Sequence, residues 1–324
     1  MSSYDPDPGA GTATSAPGVL AGRKVALGRF TTVHRYLPDR TRRTIGAWCF
    51  LDHFGPDEVG AGPGMRVPPH PHTGLQTVSW LFEGQILHSD SLGSRQLIKP
   101  GQLNLMTAGH GIAHAEESPT QDGPGGRPPR LHGVQLWVAL PAVDRTIEPR
   151  FEHHPELPVT RRDGARITVL LGGFPGLTDR SPATVHSAIV GAQVTLEAGA
   201  RLELPVQPAF EHGVLVISGE AGLPGERLAA GLLRHLEPGA DRLTLTATVP
   251  SRLLVLGGEP FEDPLVMWWN FVGDSHDEIA RARADWAAGR RFGVVAGFDG
   301  EPLPAPALPN VRLTARDRDG RARP

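Results

Sequence analysis

Four side chains within residues 68–116 could do chemistry together. His70 and His72 stand two apart in His70-Pro71-His72-Thr73-Gly74, and His114 and Glu116 stand two apart in His114-Ala115-Glu116. In an extended strand, residues two apart share a face. If each pair sits on a strand and the strands are neighbours, three imidazoles and one carboxylate converge on a point. The chemistry of such a point is the binding of one metal ion. Imidazole suits zinc, copper, iron and nickel, and a carboxylate adds affinity for harder ions. Four protein ligands on one side leave positions open for water or substrate, as a catalytic metal does and a structural one does not. Glu116, beside those open positions, is also the natural proton acceptor.

The elements that must carry these residues read as short strands and turns. Residues 77–82 are rich in β-formers and stop at Glu83-Gly84, 85–88 resume, and Asp90-Ser91-Leu92-Gly93 and Pro100-Gly101 are turns. Leu103 and Leu105 alternate with polar neighbours. Before the site, strands are expected over 24–27, 31–36 and 46–51. After it come a Pro- and Gly-rich loop over 118–130 and a strand over 133–140. A polar crossover over 141–158 includes His153-His154, read as a solvated turn. Strands resume over 165–171, 192–204, 213–217, 242–249 and 252–256. Ser275 and Glu278 form a capping box for a helix over 275–289, with Ile279, Ala282 and Trp286 at helical spacing and Gly289 as its stop.

Composition narrows the function classes. The chain has 324 residues and a formal charge of −3, which gives no sign of a nucleic-acid surface or a polybasic membrane anchor. Cys49 is the one cysteine, so no intrachain disulfide forms; in its apolar run it reads as a packing residue. No apolar run reaches the ~18 residues of a spanning helix, and the first 22 residues lack a signal peptide's charged start and apolar core. The expected location is cytoplasmic. Gly 40 and Pro 32 suit many turns and an all-β fold. Lysine occurs only at Lys24 and Lys99, a bias of GC-rich bacterial genomes. The chain divides into a disordered tail over 1–19, a metal-binding barrel over 20–150, a second barrel with the helix over 151–300, and an unanchored tail over 301–324.

An internal echo supports the two halves. Gly84 and Pro100-Gly101 recur as Gly219 and Pro238-Gly239. Aligned by eye on these turns, His70 and His72 fall on Pro205 and Gln207, and His114 and Glu116 on Arg252 and Leu254. The second half would then keep the turns without the ligands, leaving one metal per chain.

Three motifs resemble the pirin family of bicupins. They are His70-Pro71-His72-Thr73-Gly74-Leu75-Gln76-Thr77-Val78, the run Met106-Thr107-Ala108-Gly109-His110-Gly111-Ile112-Ala113-His114-Ala115-Glu116, and Met267-Trp268-Trp269-Asn270-Phe271-Val272-Gly273. The resemblance runs from about Leu51 to the C-terminal helix. It implies two stacked cupin-type antiparallel β-barrels with the helix packing back, and one metal at His70, His72, His114 and Glu116. The ion it implies is Fe(II), with Ni, Cu, Mn or Zn as alternatives. It implies a quercetin 2,3-dioxygenase-like activity on a flavonol with dioxygen, Glu116 taking the proton. The alternative from another class is a metal- or redox-responsive module that binds a protein partner without turnover. A sugar or small-acid isomerase shares the fold as a third reading. Gln76 departs from the glutamate that many cupins carry there.

Other residues carry lesser expectations. His53 is weighed as a contact to the metal's ligands or to substrate, His110 as a pocket-edge or loop residue, and His88 as a solvent-facing hairpin residue. Glu117 should face away from the ligands. Trp80, Trp137, Trp268 and Trp269 are read as core before they are read as an aromatic wall.

Overall fold

A computed structural model of the chain describes residues 17–27, 31–59, 64–120, 128–263 and 265–322. The expected 1–19 tail lies mostly outside them. The first half runs β1 (Val19–Ala21), β2 (Arg23–Leu27), β3 (Thr31–Leu37), β4 (Trp48–Glu58), β5 (Arg66–His72), β6 (Leu75–Glu83), β7 (Ile86–Asp90), β8 (Arg95–Ile98), β9 (Leu103–Thr107), β10 (Ile112–Glu117), β11 (Arg130–Ala139) and β12 (Arg150–His154). The second runs β13 (Val159–Arg162), β14 (Ala165–Leu171), β15 (Ile189–Leu196), β16 (Arg201–Pro205), β17 (Glu211–Ser218), β18 (Glu220–Leu223), β19 (Glu226–Ala229), β20 (Leu232–Leu236), β21 (Arg242–Thr246) and β22 (Ser251–Gly258). A short hairpin, β23 (Val266–Trp268) and β24 (Phe271–Gly273), then leads to α1 (His276–Ala287).

Each half is an antiparallel two-sheet jelly roll rather than a closed barrel. In the first, a sheet in the order β12-β9-β6-β11-β4-β3-β2 faces a smaller one, β5-β10-β7-β8. In the second, β1-β20-β17-β22-β15-β14-β13 faces β16-β21-β18-β19. The matching orders make β5 the counterpart of β16, β6 of β17, β10 of β21 and β11 of β22. This corrects the alignment by eye. His114 and Glu116 correspond to β21, not to Arg252 and Leu254 of β22. One of the two turn pairs corresponds: Gly84 and Gly219 follow equivalent strands with φ of 89° and 76°, a region that favours glycine, whereas Pro100-Gly101 joins β8 to β9 and Pro238-Gly239 joins β20 to β21, one connection later, which is what misplaced the alignment. None of the four strands of the second small sheet carries a histidine.

One edge strand crosses between the halves: β1, from the start of the chain, pairs with β20 of the second sheet, while β12, from the expected crossover, pairs with β9 of the first. His153 and His154 therefore sit on a half-buried edge strand rather than a solvated turn, with His153 Nδ1 2.7 Å from Asn104 Oδ1. An open sheet edge accepts whatever strand can satisfy its backbone groups, and local composition does not name the donor.

Both faces of the large first sheet are covered. On β6, Val78, Trp80 and Phe82 enter the core shared by the two halves. The alternate residues, Thr77 and Ser79 among them, face the small sheet, and every residue from Leu75 to Phe82 is buried. Two tryptophans stitch the shared core. Trp48 Nε1 donates to the carbonyls of Val190 and Gly257, both at 3.2 Å, and Trp80 Nε1 donates to Gln193 Oε1 at 2.9 Å.

The C-terminal segment packs back on the first half. α1 is capped as the sequence predicts: Ser275 Oγ accepts from the Glu278 N–H, and Glu278 Oε2 accepts from the Asp274 N–H. Gly289 follows with φ 65°. Ile279 and Ala282 bury against the β23–β24 hairpin, in the same apolar cluster as Ala113 and Ala115 of β10. The chain beyond 301 is anchored, contrary to expectation. Leu303 N–H donates to Pro69 O at 2.8 Å, Trp286 Nε1 donates to Leu303 O at 2.8 Å, and Leu308 and Leu313 join the same cluster. Its apolar residues are spaced too widely to show a period, so only a partner surface reveals their use. Among the described residues no helix is long and apolar enough to cross a membrane.

Candidate metal centre

β5 and β10 are neighbours, and His70 pairs directly with His114 in their register. The register shifts between His114 and Glu116, so the carboxylate is offset from the three rings. His72 Nε2 lies 3.1 Å from His114 Nε2, and the His70 and His114 ring centres are 4.3 Å apart. One candidate ligand atom from each of His70, His72 and His114 lies within 4.8 Å of the others. Glu116 meets the same criterion with His114 and a residue the sequence reading placed in solvent, His88. The four expected ligands thus form a tight imidazole trio, with the carboxylate linked to it through His114.

His88 is the main correction. It is buried and lies opposite Glu116 across β7 and β10, and Asp90 lies opposite His114. Directly opposed residues share a face, so β7 turns both inward. A signal existed: His88-Ser89-Asp90 repeats the two-residue spacing of the other pairs. Nothing local fixed the register that points it inside.

The backbone orients two of the rings. His70 Nδ1 lies 2.9 Å from Pro68 O, and His72 Nδ1 lies 3.1 Å from Asn270 O. A carbonyl only accepts, so each Nδ1 carries the proton and each Nε2 is left bare toward the trio. Asn270 sits at the β23–β24 turn, which the chain folds against β5. Gly74 makes that approach possible: with φ 68°, a Cβ there would lie 2.3 Å from Val272 O. Burial pushes His70 down to about 4, and burial with the neighbouring rings takes His72 and His114 well below the usual imidazole value. Neutral rings are the ligand form. Burial raises Glu116, opposed by His88 and by Ser79 Oγ, which donates to Glu116 Oε1 at 3.1 Å. A cation at the trio would favour its carboxylate form. Bare nitrogens facing one another in a buried site fit a metal ion.

The trio opens on a cavity of about 450 Å³, in the size range of small-molecule sites. Phe50 and Trp137 stack there at 3.9 Å, and Trp137 meets His72 edge-on. Arg35 makes a bidentate pair with Asp52, 2.8 Å for each bond, and lies over Phe50. Phe298, Asp299, Glu301 and Leu303 of the C-terminal segment form one wall. The sequence reading missed Arg35, Asp52 and that wall.

Of the tryptophans, Trp137 lines the cavity, Trp80 is in the shared core, and Trp268 and Trp269 pack near α1. His53 does not reach the trio. It faces the other side of β4, with Nε2 2.7 Å from His132 Nε2. His110 sits in the loop before β10, 3.2 Å from Glu148. Gln76 also points away, donating to Thr107 Oγ1 and Thr184 O. Glu117 is partly exposed beside Arg66, and Cys49 is buried.

Two family models match: Pirin over residues 30–138, and Pirin C-terminal cupin domain over 191–293. The chain belongs to the pirin family. A Pseudomonas aeruginosa protein named "Putative quercetin 2,3-dioxygenase" is 45% identical over 291 residues, 90% of each chain. Rat pirin is 31% identical over 81% of this chain and 89% of its own. A crystal structure titled as quercetin 2,3-dioxygenase from Acinetobacter baumannii has a TM-score of 0.85 at 42% identity, covering 92% of this pirin and 97% of that chain. The bicupin architecture is therefore shared along nearly the whole length.

Proposed function

We propose that this pirin is a metal-dependent dioxygenase that opens a flavonol such as quercetin, with His70, His72, His114 and Glu116 holding one divalent ion. The observation that carries the reading is the buried imidazole trio opening onto an aromatic-walled cavity of about 450 Å³. The names of the bacterial relatives agree with it. Fe(II) is the ion we infer, and nickel, copper, manganese and zinc are its competitors for an imidazole–carboxylate set.

When bound, the ion supplies Lewis acidity and redox chemistry toward dioxygen. The chain's own residues do the rest. Phe50 and Trp137 offer a flat slab against which a planar ring system stacks. Glu116 accepts the proton of the flavonol hydroxyl, and the Ser79 hydroxyl steadies the charged carboxylate. The wall over 298–303 limits water at the reacting ring.

The test is quercetin loss and oxygen uptake by protein loaded with each ion under air. Matched consumption of the two is expected with at least one ion. Stoichiometric binding of an ion with no consumption of either sinks the dioxygenase reading and favours a metal-responsive module that docks on a protein partner.

A further inference from the structure

We infer that His88 and Asp90 act as a positioning pair that holds His114 in the tautomer able to bind metal. The inference rests on the metal reading above. His70 and His72 are set by backbone carbonyls, but among the described residues no carbonyl is bonded to His114 Nδ1. That nitrogen instead faces His88 Nδ1 at 3.4 Å. Unlike the Nε2 atoms that face the proposed ion, this pair lies behind the trio, where the contact holds only if one nitrogen brings a proton and the other a lone pair.

The choice is made on the far side of His88. Its Nε2 lies 3.1 Å from Asp90 Oδ2. Asp90 is committed as an acceptor, because its Oδ1 takes the N–H groups of Leu92 and Ser94, each at 2.9 Å. A single ring proton on His88 is drawn to Nε2 by Asp90, which turns a lone pair to His114. His114 must then donate its Nδ1–H, which leaves its Nε2 bare, 3.1 Å from His72 Nε2. Phe151 stacks on the His88 ring at 4.4 Å and 14°, which holds the plane of the ring. All three rings are thus set by an acceptor behind them: two by carbonyls, the third by a carboxylate relayed through an imidazole. This is the role that a carboxylate behind a metal-bound histidine plays in general, extended by one ring.

The discriminating variant is Asp90→Asn in the full chain. Its side-chain oxygen can still cap the turn, while the new amide N–H points at His88 Nε2. His88 must then present a proton to His114, and the proton of His114 moves to the metal-facing nitrogen. Ni(II) affinity, measured by competition with a chromophoric chelator, should fall 10- to 100-fold. Imidazole ¹⁵N shifts of the metal-free protein should report the His114 proton moving from Nδ1 to Nε2. His88→Gln, with an amide oxygen toward His114 Nδ1, should retain more affinity than His88→Leu, and this comparison stands even if the Asp90 variant fails to fold. Unchanged Ni(II) affinity and unchanged ¹⁵N shifts in Asp90→Asn overturn the inference. Equal loss in His88→Gln and His88→Leu, with none in Asp90→Asn, overturns it in favour of direct ligation by His88. Wild-type protein that binds no Ni(II) defeats the metal reading itself, a separate outcome.

Discussion

At the scale of residues, the candidate centre combines groups that would be costly apart. Three buried neutral imidazoles and a buried carboxyl each give up hydration, and a shared cation would recover it. Glu116→Gln keeps the shape and removes both the charge and the proton acceptor. Quercetin turnover should fall on the order of 10²- to 10⁴-fold, with a smaller fall in metal content, checked by initial rates beside metal analysis. A second buried pair acts on stability. Burial first, and neighbouring charge second, lower both His53 and His132 from 6.5 to about 4. Above pH 6.5 these groups are neutral in both folded and unfolded chains and add no pH dependence. As pH falls from 6.5 toward 4, the unfolded chain takes up protons that the folded pair refuses, so stability is lost in that window. His132→Gln keeps a hydrogen-bonding partner for His53 and removes one of the two groups. Its melting temperature should fall less steeply than the wild type's between pH 6.5 and 4, measured in chelator.

At the scale of elements, the return of the C-terminal segment is what completes the cavity. β23 and β24 carry the Asn270 carbonyl to His72, and the chain after α1 lays Phe298 and Leu303 over the opening. Arg66 of β5 lies over the Phe298 ring at 4.7 Å, and Leu303 bonds Pro69, so the wall is tied to the strand that bears His70 and His72. Phe298→Ala should widen the mouth and leave the imidazole trio intact. KM for quercetin should rise about 3- to 10-fold with kcat little changed, since a wall contact made equally in ground and transition states is uniform binding. An equal fall in kcat would place Phe298 nearer the chemistry than its position at the mouth implies.

At the scale of the whole molecule, the two halves are expected to unfold as one unit. The second sheet takes its edge strand β1 from the start of the chain, and the large sheets share a single apolar core. Trp48, fully buried, bonds two carbonyls of the second half, and Gly191 leaves room for its ring: a Cβ there would lie 2.8 Å from it. Trp48→Ala should cost about 3–5 kcal/mol, the range for emptying a large aromatic site. Urea unfolding followed by circular dichroism and by fluorescence should give coincident transitions in both proteins, with the midpoint lowered in the variant. Two separated transitions in the wild type would show that the halves fold independently.

The sequence by itself determined what was local. Ligand types and their two-residue spacing, the turn glycines and the Ser275–Glu278 cap need only strand period, turn chemistry and capping. The tertiary structure alone decided that His88 and Asp90 face the trio, that β1 crosses to the second sheet, and that the chain past 301 walls the cavity. Each depends on register or docking between segments far apart in the chain. Strands such as β6 are buried on both faces, so their polarity does not alternate to mark which side is in. Where both sides of a strand are covered, only its neighbours can tell a ligand from a packing residue.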